Sequence, residues 1–112
     1  MFPSFSKILI LLILLVFSVV SLAGEALWID VRTAQEFNTG HVSQAVNIPY
    51  EEIAGSIAGL TEDKDAPIYV YCRSGRRSGI AKATLEEAGY SNVTNLGGLE
   101  EAQDKAAEVS VH

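Results

Sequence analysis

The sequence has a single cysteine, Cys72, among its 112 residues. No disulfide can therefore form within the chain, although small secreted domains commonly depend on several. Basic residues are also few, with eight lysines and arginines against 14 aspartates and glutamates and a net charge of −6. This acidic balance argues against nucleic acids and anionic lipid surfaces as partners. Internal repeats and low-complexity tracts are absent, which argues against a repeat architecture.

One long apolar run is present, and it lies at the N-terminus. Ile8 to Phe17 is unbroken, follows Lys7 and ends close to small residues. We interpret residues 1–23 as a secretory signal peptide that is cleaved before Gly24, leaving no stable membrane association. An uncleaved anchor and a buried core helix are the alternatives, but a membrane span needs ~20 apolar residues. No cysteine follows the run, which excludes a lipoprotein anchor.

The remaining residues, 24–112, are enough for one small domain with one core. They carry seven basic and 14 acidic residues, a net charge of −7. Short apolar segments alternate in them with segments of helical periodicity, and this predicts an α/β domain with a mainly parallel sheet. The predicted strands are Leu27–Val31, Ala45–Pro49, Ile68–Tyr71 and Val93–Leu96. The predicted helices are Thr33–Glu36 (whose ends form a capping box), Tyr50–Leu60 (Ile53, Ile57 and Leu60 on one face), Arg77–Ala88 (Ile80, Ala81, Ala83, Thr84, Leu85 and Ala88 at helical spacing, with Gly89 ending the helix) and Leu99–Val109.

Cys72 lies where a predicted strand ends and a predicted helix begins. The backbone N–H groups of such a turn, the helix dipole and three nearby arginines all favour an anionic sulfur, so we expect a thiolate at neutral pH. Ligands of open parallel sheets bind beyond the carboxyl ends of the strands. An unpaired thiol in an oxidising compartment is either reactive or buried by accident, and this position predicts a reactive one.

Six short motifs follow one another in an order typical of one protein family. They are Asp30-Val31-Arg32, Glu36-Phe37, Gly40-His41-Val42, Ala45-Val46-Asn47-Ile48-Pro49, Cys72-x-x-Gly75-x-Arg77-Ser78 and Gly97-Gly98. With them the chain resembles the rhodanese (sulfurtransferase) family, and among single-domain members the bacterial periplasmic phage-shock-protein E type. The resemblance implies a rhodanese-like domain over 24–112, with helices on both faces of the sheet, in the periplasm.

The activity that the resemblance implies is a two-step sulfur transfer. The cysteine of the loop takes the outer sulfur of thiosulfate, releases sulfite and passes the sulfur from a persulfide to cyanide or a thiol. No metal or organic cofactor is expected. Cys72 is then the catalytic residue, and the residues expected to bind the donor are Arg73, Ser74, Gly75, Arg76, Arg77 and Ser78.

The residues of that loop have alternative roles. Arg77 either binds the anionic donor or fixes the loop, since a guanidinium suits both tasks. Arg73 and Arg76 either steer thiosulfate or are solvated surface charges. Gly75 is expected to allow a positive φ angle, and Ser78 is expected to begin a helix and to form a hydrogen bond within the loop.

Polar residues of the earlier motifs are interpreted mainly as structural. Asp30, Arg32 and Glu36 predict an ion-pair network that holds a loop, with direct substrate contact as the alternative. His41 follows Gly40 in a motif that fixes a turn, and it has no catalytic partner at a suggestive spacing. After Gly97-Gly98 many rhodaneses have a tryptophan, whereas this chain has Leu99-Glu100-Glu101-Ala102, which changes the local packing.

Two other functions are compatible with parts of this pattern. Cysteine phosphatases and arsenate reductases bind phosphate in a similar loop, but they have five residues between the cysteine and its arginine, whereas here the sixth residue after Cys72 is Ser78. Tyr71 also stands where such phosphatases usually have histidine. A non-catalytic binding or redox-sensing rhodanese module is the second alternative. Such modules commonly lose the cysteine or the loop glycine, and both are present here.

Overall fold

A computed structural model describes residues 25–110 of the chain. The predicted signal peptide, residues 1–23, and its cleavage site before Gly24 lie outside these described residues. Within 25–110, no helix is both long enough and apolar enough to cross a membrane.

Strands and helices alternate along the described part of the chain. The strands are β1 (Leu27–Asp30), β2 (Val46–Asn47), β3 (Ile68–Tyr71) and β4 (Val93–Asn95). The helices are α1 (Ala34–Asn38), α2 (Ile53–Leu60), α3 (Arg76–Glu87) and α4 (Leu99–Ser110), and a 3₁₀ turn at Tyr50–Glu52 leads into α2. The predicted alternation is confirmed, and β3 has the predicted bounds.

All four strands run parallel in the order β2-β1-β3-β4. From β1 the chain moves to one edge of the sheet, and from β3 it moves to the other edge. The strand order therefore reverses between β1 and β3, and ligands of open α/β sheets bind at the carboxyl ends of such strands. Asp30 of β1 lies opposite Tyr71 of β3 at this place, so Cys72 emerges at the reversal point.

The sheet has an apolar core on each face. Successive residues of a strand point to opposite faces, so Ile29 and Val70 join one core while Trp28 and Tyr71 join the other. Helices α2 and α3 cover the first face, and α1 and α4 cover the second, which confirms the predicted layers. The helix residues that fill the first core are Ile53, Ile57, Ala81 and Leu85, and those of the second are Phe37, Leu99, Ala102 and Ala106.

Two apolar helix residues do not lie where the periodicity placed them. Leu60 was expected on the inner face of α2, but it is 41% exposed because the helix ends there and only Ile53 and Ile57 reach the core. Ile80 of α3 is 42% exposed, since the neighbouring Ala81 faces the sheet. Adjacent helix positions are about 100° apart, so both cannot face inward.

A buried ion pair closes the carboxyl end of β1. The Arg32 guanidinium donates to both carboxylate oxygens of Asp30 at 2.6 to 3.0 Å, and the Arg32 backbone N–H donates to the same carboxylate at 2.9 Å. Arg32 also donates to the Gly40 carbonyl at 2.7 Å. Asp30 is fully buried and Arg32 is only 4% exposed. These contacts confirm the Asp30–Arg32 part of the predicted network, which holds the loop from β1 into α1, whereas Glu36 pairs with Arg77 instead.

We predict that Asp30→Asn lowers the free energy of unfolding by about 3–5 kcal/mol, because it leaves the Arg32 charge buried without its partner. Urea unfolding followed by circular dichroism measures this. The control is Glu108→Gln, which removes the exposed Lys105–Glu108 pair of α4 and should cost at most about 1 kcal/mol. Equal losses in the two variants would contradict the structural role of the buried pair.

Candidate active site

Cys72 is the first residue after β3 and lies at the bottom of a tight loop. The loop spans residues 73–75, and α3 begins at Arg76. Gly75 caps the helix with a φ angle of 100°, the left-handed region predicted from its residue type. The Cys72 backbone N–H donates to the Gly97 carbonyl at 3.0 Å, which ties the start of the loop to the turn after β4.

The Cys72 sulfur is only slightly accessible and lies among hydrogen-bond donors. The Gly75 N–H donates to Sγ at 3.0 Å, and the Ser78 hydroxyl lies 3.4 Å away. Burial raises the pKa of the thiol, but the hydrogen bonds of the Ser78 hydroxyl and of the backbone N–H groups of Ser78, Ser74 and Gly75 outweigh it and lower the pKa to about 7. A large part of the sulfur is then thiolate at neutral pH.

The three arginines that follow Cys72 differ in what they contact. Arg77 donates to both carboxylate oxygens of Glu36 at 2.8 and 3.0 Å, and this bond is the main reason why the pKa of Glu36 falls to about 2. Arg73 and Arg76 are exposed, and the Arg73 Nε lies 4.0 Å from Glu36. The contacts of Arg77 therefore match the loop-fixing alternative, whereas Arg73 and Arg76 remain open to an anion.

An open cleft of about 390 Å³ lies beside the loop. Arg73 of the loop lines one side of this cleft, and residues of α1 and of the segments around α1 line the rest. The other lining residues are Arg32, Gln35, Glu36 and Thr39. The sequence predictions did not include Gln35 and Thr39, which are exposed polar residues of α1 and its end without a motif of their own.

The residues interpreted as structural do hold the turn beyond α1. The His41 ring stacks on Phe37 with the centroids 3.6 Å apart, and its Nδ1 lies 2.8 Å from the Phe37 carbonyl. Glu36 forms the predicted capping box of α1, since its N–H donates to the Thr33 hydroxyl at 3.2 Å and its carboxylate accepts the Thr33 N–H at 3.1 Å. The Glu36 carboxylate thus both caps α1 and binds Arg77.

Asn95 belongs to this site and was missed in the sequence predictions. Its amide accepts hydrogen bonds from the Ser78 hydroxyl at 2.7 Å and the Gly97 N–H at 2.9 Å, and it donates to the Gly75 carbonyl at 3.0 Å. In the sequence it is only a polar residue near the end of a predicted strand, and the strand order that places this strand next to β3 comes from the structure. Ser78 lies in the first turn of α3 and is fully buried, and its contact with the Cys72 sulfur matches the hydrogen bond expected within the loop.

The Gly97-Gly98 turn lies directly against the active loop. A side chain at Gly98 would bring its Cβ into collision with the Arg73 carbonyl oxygen, and the Cβ would also lie 2.9 Å from Glu101. Gly97 has a φ angle of 92°. Glycine is therefore required here for a close backbone approach and for a left-handed turn.

Comparison with known proteins agrees with this geometry. The family model for the rhodanese-like domain matches residues 20–105. The chain belongs to the rhodanese family. This rhodanese is 45% identical over 92 residues to the thiosulfate sulfurtransferase PspE of Escherichia coli K12, covering 82% of this chain and 88% of that protein. It is 36% identical over 74 residues to a sulfurtransferase of Allochromatium vinosum, covering 66% of this chain and 67% of that one.

A solved structure shows the same fold. A rhodanese from E. coli, solved with anions, is 44% identical to this chain and superimposes with a TM-score of 0.66. The alignment covers 69% of this rhodanese and 91% of the solved chain. The predicted membership of single-domain rhodaneses similar to phage-shock-protein E is thereby confirmed.

We predict that Gly98→Ala destabilises this rhodanese by about 1–3 kcal/mol, because the added methyl group pushes the Arg73 peptide out of the active loop. The matched control is Gly79→Ala in α3, where the new Cβ would lie 3.5 Å from the Asn95 amide, an ordinary contact. That variant should be unchanged or more stable by about 0.5–1 kcal/mol. Thermal unfolding measures both, and equal stability of the two variants would argue against the close approach.

Proposed function

We propose that this chain is a thiosulfate sulfurtransferase in which Cys72 carries the transferred sulfur as a persulfide. The enzyme class is a sulfurtransferase, in keeping with the family and with the 45% identity to PspE. The observation that carries the proposal is the Cys72 sulfur, held 3.0 Å from the Gly75 N–H with a pKa lowered to about 7. A sulfur in this state is a nucleophile that can also leave again.

The first half of the reaction loads the enzyme. The Cys72 thiolate attacks the outer sulfur of thiosulfate, a new sulfur–sulfur bond forms, and the bond within thiosulfate breaks. Sulfite leaves with the electron pair of that bond, and the negative charge on the enzyme moves to the outer sulfur of the persulfide. Preorganised N–H donors stabilise such charge without having to reorient, and here the Gly75 N–H donates to the sulfur at 3.0 Å while the amides of Ser74 and Ser78 help to lower its pKa.

The second half transfers the sulfur to an acceptor. A cyanide ion or a thiolate attacks the outer sulfur, and the Cys72 thiolate leaves with the electron pair of the persulfide bond. Because the pKa of the Cys72 thiol is about 7, the thiolate is a good leaving group at neutral pH. No external oxidant or reductant is needed, since the donor supplies a sulfur that is already at the oxidation level of the product.

The anionic donor needs positive charge at the mouth of the loop. Arg73 and Arg76 provide it, since both are exposed and Arg73 also lines the open cleft. Arg77 acts indirectly, because its guanidinium is held by Glu36. Two cations on a protein of net negative charge direct an anion to this one place. The related E. coli rhodanese was solved with anions, which supports an anion site.

The phosphatase alternative lacks a free arginine at the required place. In such enzymes the arginine that closes the loop must hold the phosphoryl oxygens, whereas Arg77 is already engaged in two bonds with Glu36. A module that only binds a partner does not need a cysteine whose pKa is lowered by nearby donors, whereas a redox-sensing module would use one, and exposure to thiosulfate separates that module from a sulfurtransferase. Sulfur transfer needs the Cys72 thiolate and does not need Arg77 to bind a phosphoryl group.

We predict that exposure to thiosulfate adds the mass of one sulfur atom to the protein, because the thiolate retains the outer sulfur as a persulfide. Intact-mass spectrometry measures the addition, and cyanide should remove it with the formation of one equivalent of thiocyanate. In Cys72→Ser the addition and the turnover should both vanish, since a hydroxyl is a far weaker nucleophile. Turnover above about a tenth of the wild-type value in that variant would contradict the persulfide.

The place of action that we propose is the periplasm, on the basis of the apolar run from Ile8 to Phe17. We predict that the mature protein begins at Gly24 and is released with the periplasmic fraction of a Gram-negative host. Leu12→Arg should block export, because a charge interrupts the apolar run, and Leu12→Val is the matched control. N-terminal sequencing of the fractions measures this. A protein that keeps Met1 and sediments with membranes would favour the uncleaved anchor.

A further inference from the structure

A chain of hydrogen bonds joins the Cys72 sulfur to the end of β4, with its first link buried and its second partly buried. Ser78 is fully buried, and its hydroxyl lies 3.4 Å from Cys72 Sγ and 2.7 Å from Asn95 Oδ1. The orientation of the Asn95 amide is determined by its other neighbours, since Nδ2 faces the Gly75 carbonyl and Oδ1 faces the Gly97 N–H. Asn95 therefore presents an acceptor to the Ser78 hydroxyl and cannot donate to it.

The Ser78 hydroxyl has one hydrogen and two possible acceptors. With the thiol protonated, the Cys72 S–H donates to Ser78 Oγ, and the hydroxyl donates to Asn95. With the thiolate formed, the hydroxyl turns its hydrogen to the charged sulfur, which is the stronger acceptor. Asn95 Oδ1 then still accepts the Gly97 N–H, so no buried polar atom is left unpaired. The Ser78 hydroxyl can thus form a hydrogen bond with Cys72 both as the thiol and as the thiolate.

We propose that Asn95 is a positioning residue of this site, which through Ser78 determines how readily the Cys72 thiolate forms. A neutral amide accepts the hydroxyl hydrogen weakly enough to release it when the sulfur ionises. A carboxylate at the same place would retain the hydrogen in a charge-assisted bond. The proposal concerns the sulfur on which the proposed function rests, but it needs no sulfur donor and can be tested without one.

Charged groups around the loop also influence how readily the Cys72 thiolate forms. Arg77 is paired with Glu36, so its charge is largely compensated. The other groups on neighbouring elements are Arg73 and Arg76 of the loop and α3, the Asp30–Arg32 pair at the end of β1, Tyr50 before α2 and Glu101 of α4. A substitution at Asn95 changes none of them. The hydrogen-bond chain can therefore be altered separately from these charges.

The test is the alkylation rate of Cys72 by iodoacetamide as a function of pH, since only the thiolate reacts. In the wild type the rate should rise with a midpoint near the Cys72 pKa of about 7. Asn95→Asp should lower the rate about tenfold at about pH 6 and leave it unchanged at about pH 10. A general loss of structure would lower the rate at every pH without moving the midpoint, and a shift transmitted through the lost donor to the Gly75 carbonyl would persist in the Ser78→Ala background.

The matched control is Asn92→Asp. Asn92 is exposed and precedes β4, whereas Asn95 is the last residue of that strand, so the same change of charge is made at the opposite end. This variant should keep the wild-type alkylation profile. An unchanged profile in Asn95→Asp, or an equal shift in both variants, would overturn the proposal.

Ser78→Ala tests the route through the hydroxyl. By itself it should slow alkylation at about pH 6, because the thiolate loses a donor, and a failure to do so would overturn the proposal even if Asn95→Asp fails to fold. In the Ser78→Ala background, Asn95→Asp should slow alkylation at most about threefold, since only the added charge then acts. An unchanged profile in Ser78→Ala, or a full tenfold effect of Asn95→Asp without the hydroxyl, would overturn it.

Discussion

The hydrogen bond from the Gly75 N–H to the Cys72 sulfur is the interaction on which the site depends. It lies at 3.0 Å and exists because Gly75 adopts a left-handed conformation that turns its N–H inward at the start of α3. Burial alone would keep the sulfur protonated. The ring of donors outweighs the burial, and a nearly inaccessible thiol becomes a nucleophile near neutral pH. The rest of the structure keeps this small loop in one shape.

Elements outside the loop provide that support. Glu36 of α1 holds Arg77, Asn95 of β4 holds Ser78 and the Gly75 carbonyl, and the Gly97 carbonyl holds the Cys72 N–H. These contacts come from β4, from the turn that follows it and from the helix that follows β1. A loop with so few residues cannot hold its own donors in place, because each amide must keep its position to within about 0.5 Å.

Charge is divided between two tasks in this acidic protein. The Asp30–Arg32 pair and the Glu36–Arg77 pair are used within the fold, where removing one partner would leave a charge without compensation. Arg73 and Arg76 are exposed at the mouth of the loop, where positive charge can meet an anionic donor. The sequence left Arg77 either to bind the donor or to fix the loop, and its two bonds with Glu36 match the second role.

Local patterns were enough to predict the strand that leads to the cysteine, the capping box of Thr33 and Glu36, and the left-handed Gly89 after α3. The order of six short motifs, including the one around Cys72, also identified the family. Only the tertiary structure decided the strand order, the partner of Arg77, which lies 41 residues away, and the part played by Asn95. Periodicity and capping act over a few residues, whereas these contacts arise when parallel strands bring distant segments to one edge of the sheet.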